Sequence, residues 1–77
     1  MKKKEFALVC LNEDSTVVSV SVHSTKEKAF KKMEKEYNST KEEYDDYPIE
    51  SSDIDDERAE VIISDCNAYY WQIVETE

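Results

Sequence analysis

An α+β fold is predicted for this chain: a ββαββ two-layer sandwich in which a four-stranded antiparallel sheet, spatial order 2-1-3-4, carries one helix on one face. Three observations predict it. Two strand-length segments come first, one apolar throughout and one alternating. A single stretch of helical period follows. Two further strand-length segments then flank a short polar turn. The 77 residues form one domain, 1–77. The expected strands are about 5–11, 16–23, 58–64 and 69–76, with a helix about 25–45 and an acidic loop 46–57.

Phe6–Leu11 (FALVCL) is apolar on both alternating faces and runs into Asn12-Glu13-Asp14-Ser15, a strand followed by a turn. Glycine is absent from the chain, so turns that need a positive φ are expected to use Asn or Asp. Its absence also excludes phosphate-cradling loops, dinucleotide fingerprints and EF-hands. Thr16–His23 (TVVSVSVH) has period two. Val18, Val20 and Val22 are assigned to the helix side, Ser19, Ser21 and His23 to the other.

The tetrapeptide STKE occurs at Ser24–Glu27 and again at Ser39–Glu42. Ser24 can cap a helix start, with Glu27 at the third position reaching back to the cap amide. Phe30, Met33, Tyr37 and Tyr44 then fall on one helical face. Tyr37 to Tyr44 is a seven-residue step, two full turns, so the second STKE lies inside a continuous helix. Pro48 ends any helix before it.

Glu42–Glu57 contains nine acidic residues (Glu42, Glu43, Asp45, Asp46, Glu50, Asp53, Asp55, Asp56 and Glu57) and no base. The net charge of −9 therefore resides in this one segment. It reads as a solvated connection pinned by Tyr47, Ile49 or Ile54. Arg58–Ser64 and Tyr69–Glu75 are the last strands. Tyr69, Trp71 and Ile73 make the bulkier face, which belongs under the helix. The segments Phe6–Leu11 and Val61–Ile63 are apolar on both sides, which suits the centre of the sheet.

The helix-side core is then Phe6, Leu8, Cys10, Val18, Val20, Val22, Phe30, Met33, Tyr37, Val61, Ile63, Trp71 and Ile73. The other face holds Ala7, Val9, Leu11, Val17, Ile62, Tyr70 and Val74, and a single helix cannot cover it. A solvated sheet face is normally polar, and a contiguous apolar patch marks an interface. Either a protein partner, a second copy included, or the chain's own acidic loop or termini must shield it.

Signs of chemistry are sparse. His23 is the only histidine, beside a cap residue, and reads as a surface imidazole. Cys10 reads as a small core residue and Cys66 as a free thiol in a turn; their spacing makes no zinc site, and nothing joins Cys66 to His23 as a catalytic pair. Asp53–Glu57 lacks the ligand order of a calcium loop. No enzyme, cofactor, metal site or small-molecule substrate is expected, and the acidic charge disfavours direct nucleic-acid binding. Lys2–Lys4 precede only a short apolar run, so no signal peptide and no membrane span are expected, and the cytosol is the expected compartment.

With its strand-turn-strand start, the STKEKAFKKM helix opening, the acidic linker and the final DCNAYYWQIVE, the chain resembles small uncharacterised ββαββ proteins of Firmicutes and their phages or mobile elements. That resemblance implies a fold and no functional residues. Some acidic phage proteins of this size are anti-CRISPR or anti-restriction inhibitors, a likeness of size and charge. Two functions are thus expected in order: a non-enzymatic interaction module self-associating through the open sheet face or a strand edge, or a nucleic-acid mimic acting through Glu42–Glu57.

Overall fold

The computed structural model of the chain describes residues 4–46, 49–64 and 67–76. The basic start at Met1–Lys3, together with Tyr47, Pro48 and Cys66, lies outside them.

The order is β1 (Glu5–Asn12), β2 (Val17–His23), α1 (Lys26–Glu43), β3 (Ser51–Ile54), β4 (Arg58–Ser64) and β5 (Asn67–Thr76). The class is α+β as predicted, with one helix, but the antiparallel sheet has five strands in the order β2-β1-β5-β4-β3. Two corrections follow from this order. The segment expected as an acidic loop contributes the edge strand β3, which pairs with β4 from Ser51↔Ile62 to Ile54↔Ala59. The strand beside β1 is β5, not Arg58–Ser64.

One cause explains both. An extra strand after the helix reverses the direction of everything downstream. β4 therefore runs in the same sense as β1, and β5 is the long strand that can pair with β1 antiparallel. It does so along the whole length of β1, from Glu5↔Thr76 to Asn12↔Tyr69.

The hairpin β1–β2 is turned by Asn12, whose Oδ1 accepts from the amides of Asp14 (2.9 Å) and Thr16 (3.0 Å). The left-handed position falls on Ser15, at φ 63°, rather than on an Asn or Asp. Within the hairpin Cys10 faces Ser19 while Leu11 faces Val17, so Val18 is an extra residue, a β-bulge. The bulge overturns the expected phase of β2. Val20 and Val22 stand opposite Val9 and Ala7, on the open face, and Ser19, Ser21 and His23 share the helix side. Val18, Val20 and Val22 are 54 %, 56 % and 57 % exposed and take no part in the core.

The helix starts one residue later than Ser24 suggests. Thr25 is the N-cap, in extended conformation, and its Oγ1 accepts from the Lys28 amide at 3.1 Å. That shift puts Lys28 where a capping box needs an acid, and Glu27 pairs along the helix with Lys31 instead. The second STKE rides through α1, as its phase required. The helix stops at Glu43 with Tyr44 as C-cap, before Pro48 is reached.

Ala29, Met33 and Tyr37 form the buried stripe of α1. They pack on Leu8, Cys10, Ala59, Val61, Ile63, Trp71 and Ile73 of the sheet, with Phe6, Phe30, Ile49 and Ile54 at the margin. Met33→Ala is expected to lower stability by about 2–5 kcal/mol, the usual cost of emptying a buried side chain. Val20→Thr is expected to change it by no more than about 0.5 kcal/mol, as for an exposed site. Urea denaturation of dilute protein, read by Trp71 fluorescence, measures both; equal losses would contradict the phase of β2.

Candidate interaction surface

The open face of the sheet is built by register. One cross-strand row runs Val17, Leu11, Tyr70, Glu60, Asp53 from β2 to β3. The next runs Val20, Val9, Gln72, Arg58, and the third Val22, Ala7, Val74. Ile62 sits further along β4, opposite Ala68. All seven residues expected at an interface (Ala7, Val9, Leu11, Val17, Ile62, Tyr70 and Val74) thus lie on this face. Val20 and Val22 join them, and sequence reading had assigned those two to the core. A signal was available: the adjacent pair Val17-Val18 breaks strict alternation, which is how a bulge looks in sequence.

The face has two chemical halves. Across β2, β1 and β5 it is apolar apart from Gln72 and, at one end, the Glu5–Thr76 pair, with Val17, Val20, Val22, Tyr70 and Val74 exposed. Across β4 and β3 it carries Arg58, Glu60 and Asp53. Between the halves lies a concavity of about 490 Å³ floored by Val9, Leu11, Tyr70 and Val74 and edged by Arg58 and Asp53. β3 lies in the plane of the sheet as its edge strand, so Ser51–Ile54 extend the open face sideways rather than fold across it.

The acidic segment is more structured than a solvated loop. Asp55 Oδ1 accepts from the amides of Glu57 and Arg58, both at 2.9 Å, and these bonds hold its carboxyl below the usual range. Lys26 reaches from the first turn of α1 to Glu57 (3.2 Å) and Asp56 (3.6 Å). The bond to Glu57, with both carboxylates nearby, raises the Lys26 pKa. Arg58 Nε lies 3.9 Å from Asp55. Ile49 and Ile54 pin the segment to the core, and the Glu50 amide donates to the Ile62 carbonyl at 2.8 Å. Glu42, Glu43, Asp45 and Asp46 fall at the end of α1 and just beyond it. The nine carboxylates are therefore spread over a helix end, an edge strand and a turn, not gathered on one loop.

His23 shares a 2.8 Å hydrogen bond with Ser21 Oγ. Cys10 is buried on the helix side, and the pairing of Cys66 with His23 falls outside the described residues. Among the described residues no group of three or more His, Cys, Asp or Glu side chains is arranged around a metal position, and no helix is long and apolar enough to cross a membrane.

Two tightly held protons, on buried Cys10 and partly buried Tyr69, bear on stability. Burial, and then the Glu36 carboxylate, push the Cys10 thiol from 9.0 up to about 11. The hydrogen bond to Tyr44 (3.2 Å between hydroxyls), and then burial, push Tyr69 from 10.0 up to about 12. In both cases the folded chain holds the proton more tightly than the unfolded one. The stability this confers is complete below the ordinary values and is lost as pH rises, from about 9 to 11 for Cys10 and from about 10 to 12 for Tyr69. The urea midpoint should fall across that window, and Cys10→Ala should remove the earlier part of the fall. A midpoint flat to pH 12 would contradict both assignments.

No protein-family model matches the chain, and neither a curated protein nor a solved structure is significantly similar to it.

Proposed function

We propose that this chain is a non-enzymatic protein–protein interaction module that associates with its own copies through the open face of its sheet. The observation that carries the reading is the apolar half of that face. An antiparallel sheet that keeps one side in water normally makes that side polar. Here Val17, Val20, Val22, Tyr70 and Val74 stay exposed and adjoin Ala7, Val9 and Leu11 by register. A contiguous apolar surface on a small chain favours a contact that removes it from water.

An inhibitor that mimics nucleic acid through Glu42–Glu57 draws less support. Asp55, Asp56 and Glu57 already face Arg58 and Lys26, and the acids around β3 have a simpler task in keeping that edge unpaired.

Sedimentation over a wide concentration range tests the proposal. The wild-type mass should rise with concentration, and Val9→Lys, which puts a charge in the middle of the apolar half, should lower the mass reached. A wild type monomeric at every concentration, or a Val9→Lys chain that assembles like the wild type, would defeat it.

A further inference from the structure

The two edges of the sheet differ in kind. β3 is short, and Glu50, Asp53, Asp55 and Asp56 lie in it or flank it, all exposed. A second copy of β3 brought alongside would bring Asp53 and the flanking Glu50, Asp55 and Asp56 close to their like-charged counterparts. β2 spans Val17–His23 with no Lys, Arg, Asp, Glu or Pro. These are the features by which sheet edges are ordinarily kept from pairing, and β2 has just one of them, the bulge at Val18. The bulge lies at the hairpin end and leaves Ser19–His23 in regular register with β1. Among the described residues no strand lies beyond β2, so one side of its backbone has no ladder partner.

Side-chain exposure points the same way. Along the row Val22, Ala7, Val74, and along Val20, Val9, the valines on β2 are more exposed than their neighbours on β1. They lack a lateral neighbour, and an added strand supplies one.

We infer that β2 pairs antiparallel with β2 of a second copy, across a two-fold axis at Ser21. That axis centres the regular stretch. It sets Ser19 opposite His23 of the second copy, Val20 opposite Val22, and Ser21 opposite its own mate, leaving the bulge outside the ladder. Valines facing valines, with no charge opposed, suit a cross-strand contact. A second copy is the fitting occupant because the neutral strand meets itself without repulsion.

This inference rests on the reading of self-association but uses a separate contact. The axis is perpendicular to the sheet, so both helices fall on one side and the two open faces merge into a wider apolar floor. Edge pairing therefore does not cover the open face; it enlarges what the face-to-face contact must cover. The two contacts together close as a tetramer of two stacked pairs.

Sedimentation of three chains at high concentration separates the contacts. Wild type is expected as a tetramer, Val9→Lys as a dimer held by its edges, and Ser21→Lys as a dimer held by its faces, because lysines directly opposite each other oppose pairing. A monomeric Val9→Lys chain overturns edge pairing and leaves the face contact standing. A monomeric Ser21→Lys chain supports edge pairing and overturns the face contact. Should Ser21→Lys fold poorly, amide exchange on Val9→Lys decides: alternate amides in Ser19–His23 should slow as concentration rises, and exchange that ignores concentration overturns the inference.

Discussion

The fold depends on one junction, where Trp71 of the central strand meets the helix. Its ring is 3 % exposed, stands edge-on to Tyr37 with centroids 6.3 Å apart, and lies tilted against Tyr69 at 6.2 Å. Its indole N–H donates to Glu36 Oε1 at 3.1 Å, and Glu36 is itself steadied by Lys32. A buried indole needs such an acceptor, and the helix supplies it from the turn that also supplies Tyr37. The contact sets the height and rotation of α1. Because the buried stripe of α1 is only Ala29, Met33 and Tyr37, the helix has one side to give to the sheet. The opposite side of the sheet follows as an uncovered surface.

Much of this was legible in the sequence. Leu8, Cys10, Met33, Tyr37, Val61, Ile63, Trp71 and Ile73 declare themselves by period, and each is in the core. Ala7, Val9, Leu11, Val17, Ile62, Tyr70 and Val74 follow on the other face by the same alternation. What escaped has three physical sources. Ser51–Ile54 has little intrinsic preference for a strand; it becomes one because β4 offers an edge and Ile54 reaches the core. Once that strand is missed, the direction of the later strands is miscounted and the order of the sheet goes with it. The bulge at Val18 shifts the phase of half a strand, and strict alternation carried through the Val17-Val18 pair puts Val20 and Val22 on the wrong face. The helix cap moved by one because Ser24 and Thr25 are nearly equivalent caps.

Charge and the apolar surface pull against each other. Each copy carries −9, and copies that approach repel over a distance set by salt. The charge is not spread evenly. Much of it lies around β3 and the end of α1, while β2 is neutral. Lys26 ties the first turn of the helix to the far hairpin at Asp56 and Glu57, which keeps part of that charge locally compensated. Approach through β2 or the apolar half therefore brings together the least charged parts of the surface.

The place of β5 also shapes how the molecule is made. Among the described strands it is the last along the chain and the one that pairs with both β1 and β4, joining the two hairpins. Before it docks, the described residues of the hairpins β1–β2 and β3–β4 share no backbone ladder, and the helix lies between them in the chain. Most of the ladder that unites them joins residues some sixty or more positions apart. Assembly of the domain should accordingly be slow for its size and close in one late, concerted step, with the greasy strands of each hairpin waiting unprotected until then.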